Sequence, residues 1–79
     1  MEKLIKIEYN YATVAGENQM PSGGVIINLD HIVAVHKTVD TTRDPDVRDA
    51  PPIRIYEVRL SEGSSYFVRE DKLPPYFLP

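Results

Sequence analysis

The sequence predicts a small all-β domain. Four or five strands, mostly antiparallel, would form a sheet or partly open barrel with a C-terminal β-hairpin and an apolar, proline-rich tail. Three observations carry that expectation. Apolar residues recur with a period of two, no window beyond a single turn has helical periodicity, and glycine and proline cluster between the apolar runs. At 79 residues the chain makes one domain, 1–79, with a thin core.

The elements follow in order. Ile5, Ile7 and Tyr9 fall on one side of an extended backbone and Lys6 and Glu8 on the other, as in a half-buried strand. Residues 10–24 carry Gly16, Pro21, Gly23 and Gly24 among polar side chains and predict a loop, within which Tyr11–Val14 restarts a strand. Val25-Ile26-Ile27-Asn28-Leu29 is β-branched and nearly unbroken, the pattern of a strand covered on both faces. Asp30-His31 interrupts it, with Asp30 expected to fold the turn onto its own backbone. Ile32–Lys37 resumes as a strand. Residues 38–52 form a long polar loop that has only Val39, Val47 and Ala50 as apolar members, and a loop of that length on a small sheet is a place for recognition. Ile53–Leu60 and Ser64–Arg69 are strands joined by Ser61-Glu62-Gly63. Glu70–Leu73 makes one helical turn ended by Pro74-Pro75, and the tail, counted over 70–79, finishes with Tyr76 and Phe77.

The hairpin permits a register argument. A two-residue turn at Glu62-Gly63 would set Leu60 opposite Ser65 and mix apolar with polar side chains. A type I turn followed by Gly63 at positive φ, forming a G1 bulge, sets Val58 opposite Tyr66 and Tyr56 opposite Val68. That register gathers Tyr56, Val58, Leu60, Tyr66 and Val68 on one face, so the bulge is expected. The other face mixes Ile53, Ile55 and Phe67 with Glu57, Arg59, Ser65 and Arg69.

Composition narrows the chemistry. The chain has no cysteine, so disulfides, thiolate catalysis and cysteine-bound zinc are excluded. Twelve acidic against nine basic residues leave a formal charge of −3 and no bulk attraction for phosphate, which disfavours nucleic acid. No stretch approaches the ~20 apolar residues that span a bilayer, and the charged N-terminal residues are unlike a secretory signal, so no membrane partner and a cytoplasmic location are expected. His31 and His36 lack a convergent third ligand. Asp40, Asp44, Asp46 and Asp49 lack the glycine and bidentate glutamate of an EF-hand loop. Gly23-Gly24 alone is no phosphate cradle, and no nucleophile elbow surrounds Ser22, Ser61, Ser64 or Ser65. No catalytic residue, metal or cofactor is expected.

The stretch Val25–Val35, with Asn28-Leu29-Asp30-His31-Ile32 at its centre, precedes the hairpin Val58–Glu70 by some twenty residues. Together, over residues 25–70, they resemble FlbD-type small flagellar proteins and the LytTR-type DNA-binding domain of response regulators. The resemblance implies a β-meander. On the LytTR side it implies sequence-specific DNA binding, for which Lys37, Arg54, Arg59, Arg69 and Lys72 would have to converge. The loop 38–52 and the proline-rich terminus lie outside both patterns, and that loop is acidic where LytTR-type domains are basic.

The function expected from the residues is a non-catalytic binding or regulatory module acting through protein contacts, as a homo-oligomer. A phage- or mobile-element-encoded inhibitor is one form such a small acidic protein could take. The candidate contact residues are Asp44, Asp46 and Arg48 on the loop, Tyr56 and Phe67 on the hairpin, and Tyr76 and Phe77 in the tail, because aromatic and arginine side chains dominate contact surfaces. A third reading places a small-molecule or catalytic site between subunits, lined by Tyr9, His31 or His36 and the charged loop.

Overall fold

The computed structural model describes residues 3–14, 19–74 and 77. The described part is all-β: β1 (Leu4–Tyr9), β2 (Tyr11–Thr13), β3 (Gln19–Met20), β4 (Gly23–Asn28), β5 (Ile32–Thr42), β6 (Ile53–Leu60) and β7 (Ser65–Arg69). They form a five-stranded sheet in the order β3-β2-β7-β6-β5 and a separate two-stranded ribbon, β1-β4. Every pairing is antiparallel and the sheet is not closed into a barrel.

The first four strands are two arms of one bent hairpin. No residue is gained or lost between the pair Tyr9↔Gly23 and the pair Ala12↔Met20, so the register is continuous across the break. The break falls opposite Pro21, which has no N–H to give a ladder. One half of the hairpin joins the sheet through β2 and β7. The other half, β1-β4, leaves it and turns one face inward. Within residues 10–24, expected as a loop with a strand restarting at Tyr11–Val14, the described residues hold that strand at Tyr11–Thr13 and add Gln19–Met20 and the start of β4 at Gly23. Glycine and polar residues are tolerated because the strands they occupy are short or lie at an edge.

The core lies between ribbon and sheet. Ile7, Tyr9 and Ile27 from the ribbon meet Ala12, Tyr56, Val58, Leu60, Val68 and Leu73, with Ile5, Val25, Ile32, Val35, Tyr66 and Phe77 packed around them. The hairpin register is the bulged one: Val58 pairs Tyr66, Tyr56 pairs Val68, and Gly63 has φ 103°. The Leu60 N–H bonds the Ser64 carbonyl at 2.8 Å, which closes the turn.

Three expectations change. Val25–Leu29 is not covered on both faces: among the described residues β4 pairs with β1 alone, and on the face away from the core Ile26 is 66% exposed. The turn after it is a 3₁₀ turn, Leu29–His31, held by the Asn28 side chain, which accepts from the Asp30 N–H at 2.9 Å. Asn28 does there what Asp30 was expected to do. β5 runs on to Thr42, so the loop begins at Arg43 rather than residue 38. The β-branched residues Thr38, Val39, Thr41 and Thr42 carry the extension, and Asp40 concealed it. The strand bulges twice, between Ile32 and Ala34 and between Lys37 and Thr41.

Candidate functional site

The sheet's outer face, turned away from the ribbon, carries a joined set of polar and aromatic side chains. Tyr11 of β2 stands opposite Phe67 of β7, and their half-buried rings stack at 4.6 Å between centroids, 17° from parallel. The Tyr11 hydroxyl donates to Asp40 at 2.9 Å, spanning β7 and β6 to reach β5. The second bulge makes this possible. Thr38 within it donates its hydroxyl to the Ile55 carbonyl at 2.8 Å and accepts the Asp40 N–H at 3.1 Å.

Beside this strap, Glu57 accepts from the Ser65 hydroxyl at 2.6 Å and from His36 Nε2 at 3.0 Å, with Arg59 at 3.8 Å. The Ser65 hydrogen bond is the main reason the Glu57 carboxyl sits below its usual range; burial opposes it, and His36 and Arg59 add to it. Tyr11 is pushed up to about 12, first by burial, then by its bond to Asp40 and the negative charges of Asp40 and Glu57. The carboxylates of Asp40 and Glu57 thus both act on the Tyr11 hydroxyl, Glu57 with His36 and Arg59 beside it. Ser, His and Glu meet here, but in the wrong order for nucleophilic catalysis. Both hydroxyl and imidazole donate to the carboxylate, so no base faces the serine oxygen.

The expected contact residues separate. Tyr56 is buried in the core on the opposite face. Phe67 lies at the centre of the outer face. Asp44 serves the loop's own fold: it accepts the Asp46 N–H at 2.9 Å and lies 3.7 Å from Arg69. Arg43 donates to the Ala50 carbonyl at 2.6 Å, and Asp49 takes a positive φ of 58°. Arg69 pairs with Ile55 in the ladder, so the loop lies across that end of the outer face, where Ile55 is 2% exposed. Asp46, Val47 and Arg48 are exposed at the loop tip. Phe77 packs against the core of its own chain, and Tyr76 lies outside the described residues.

Sequence reasoning set Glu57, Ser65 and Phe67 on one face through the hairpin register. It missed Tyr11, Asp40 and His36 as their neighbours, because those arrive through β2 and the bulge of β5, which no local pattern announces. Of the five cations that a DNA-binding face would need, four are engaged separately. Arg59 pairs with Glu57, Arg69 with Asp71 and Asp44, and Lys72 with Glu8, while Arg54 donates to the Thr38 carbonyl.

A shallow cleft of about 360 Å³ lies where the ribbon meets the turn after β7, walled by Lys6, Glu8, Gly23, Gly24, Arg69 and Lys72. Glycine at 23 has a packing cause, since a Cβ there would stand 3.0 Å from the Tyr9 hydroxyl. Among the described residues no three His, Asp or Glu side chains gather as a metal site, and no helix is long and apolar enough to cross a membrane. In comparisons with protein-family models, curated proteins and solved structures, nothing matches the chain.

Proposed function

We propose that the chain is a non-catalytic binding module acting through protein contacts, and that it binds its partner with the outer face of the five-stranded sheet. The observation that carries this reading is the half-exposed Tyr11–Phe67 pair with the Asp40 carboxylate bonded at its edge. Asp40 is exposed and forms no ion pair among the described residues, so one carboxylate beside the rings has no cation of its own.

That chemistry suits a partner segment presenting lysine or arginine. Such a cation gains from an aromatic face by roughly 0.5–2 kcal/mol and from a carboxylate at its edge. The net charge of −3 works in the same direction, drawing a basic segment toward the sheet. Self-association belongs to the same reading and leaves this face free for the partner.

The test is a titration of the ¹⁵N-labelled chain with a tetra-arginine peptide, with a tetra-glutamate peptide as control. Shifts centred on Tyr11, Asp40 and Phe67 with the basic peptide alone, and their loss in Asp40→Asn, are the expected result. Shifts spread evenly over the surface, or none at millimolar peptide, would overturn the reading.

A further inference from the structure

We infer that two copies of this chain join through the free edge of β4, antiparallel about a two-fold axis at Ile26, so that β1-β4 of one copy and β4-β1 of the other form a continuous four-stranded sheet. The inference rests on the self-association in the reading above and names the surface that performs it.

The edges of the molecule differ in how they are protected. Natural sheets guard open edges with bulges, charges, prolines or brevity. β3 is two residues long, and β5 bulges twice and carries Lys37 and Asp40. β4 has none of these devices. Its six residues, Gly-Gly-Val-Ile-Ile-Asn, are uncharged and free of proline, and they pair with β1 in unbroken register. Among the described residues nothing else pairs with it.

The backbone fixes which groups face outward. The Leu29 N–H bonds the Lys3 carbonyl at 2.7 Å, in the same register that pairs Ile27 with Ile5 and Val25 with Ile7. Hydrogen-bonded pairs alternate along an antiparallel ladder. Residues 23, 25, 27 and 29 therefore turn their backbone groups to β1, and Gly24, Ile26 and Asn28 turn theirs to the free edge. An antiparallel copy centred on Ile26 sets Ile26 against Ile26 and Gly24 against Asn28, each an outward group opposite an outward group. All three pairs then bond, with six N–H groups satisfied across the axis.

The side chains agree with that register. Ile26, 66% exposed, meets its own copy. Val25 stands beside Ile27 of the other copy on the inner face, extending the core side of the ribbon. No charged residue opposes another across the join. The nearest like charges, the two Lys6 side chains on the outer strands, are three strand spacings apart, roughly 14 Å, beyond the screening length of physiological salt. The nearly continuous apolar run of β4, unexplained by a ribbon with one open face, acquires a cause.

Sedimentation of the full chain reads the result directly. The expected outcome is a dimer of twice 9.0 kDa, with the amides of Gly24, Ile26 and Asn28 protected from exchange more strongly as concentration rises. Ile26→Lys places like charges opposite each other and should raise the dissociation constant more than about tenfold, while Val39→Lys, at a side chain 90% exposed on β5, should leave it unchanged. Because Ile26 is exposed, the circular dichroism of Ile26→Lys should match the parent, so loss of the dimer cannot be confused with unfolding. A dimer that survives Ile26→Lys but yields to Val39→Lys would overturn the β4 edge and leave the binding-module reading intact. A strict monomer at millimolar concentration would overturn both this inference and the self-association it rests on, while the peptide titration would still judge the outer face.

Discussion

Tyr11 and Glu57 couple the outer face to pH in opposite directions. In the unfolded chain Tyr11 titrates near its ordinary value of 10, and in the folded chain near about 12. The unfolded chain thus releases its proton first. The stability Tyr11 confers is whole below about 10 and is lost as pH rises toward about 12. Tyr11→Phe removes the hydroxyl bond across the sheet and should cost at most about 1 kcal/mol at neutral pH, since the bond is exposed. It should also delete the phenolate that ionises near about 12 from a titration followed by ultraviolet absorbance. Loss of a phenolate that ionises near the ordinary value of 10 instead would mean that Tyr11 and Asp40 do not bond in solution. Glu57 works the other way. Its carboxyl is held below the usual range, so its contribution is present above the unfolded value and is lost as pH falls through the folded one. Glu57→Gln should flatten the acid side of the stability profile, read as denaturation midpoints between neutral pH and the carboxylate range. Equal slopes for parent and variant would show the Ser65 bond to be without weight.

At the scale of elements, the hairpin was the most legible part of the chain. Only one register of Ile53–Leu60 on Ser65–Arg69 collects the apolar side chains on one face, and that register demands a left-handed residue where the sequence has Gly63. Gly63→Ala forces a side chain into φ 103° and should cost about 1–2 kcal/mol, measurable as a shift in urea midpoint with unchanged slope. An unchanged midpoint would mean that the turn relaxes to another form. The bent hairpin was less legible, because its two arms are joined by pairing between residues such as Tyr9 and Gly23, and nothing in a glycine declares a strand. The extension of β5 was hidden for a related reason. Asp40 reads as a loop residue by its type, and its place in the strand depends on a bulge held by Thr38, whose hydroxyl bonds the Ile55 carbonyl seventeen residues further along the chain. The outer face inherits this limit: the half built by β6 and β7 follows from alternation, and the half built by Tyr11, His36 and Asp40 follows from long-range pairing.

For the whole molecule, what matters is how few residues separate core from surface. A chain of 79 residues has a stability of roughly 4–12 kcal/mol, and its core is shared between a ribbon and a sheet with no disulfide between them, since the chain has no cysteine. The ribbon's inner face must therefore carry a large share. Ile7 is fully buried against the sheet, whereas Ile26, on the strand paired to it, points the other way and is mostly exposed. The two isoleucines sit one residue apart in the ladder and have the same volume, so the same truncation tests packing alone. Ile7→Ala should cost about 2–5 kcal/mol, from lost burial and the cavity left behind, which is about half or more of the total at its lower bound of roughly 4 kcal/mol. Ile26→Ala should change the stability of the single chain by no more than about 0.5 kcal/mol. Urea midpoints taken at a dilution where the chain is monomeric compare the two without any contribution from association. If Ile26→Ala proved the costlier, the ribbon would have to present its other face to the sheet. Every side chain from Leu4 to Tyr9 and from Gly23 to Asn28 would then change sides, because a strand has two faces and one rotation exchanges them.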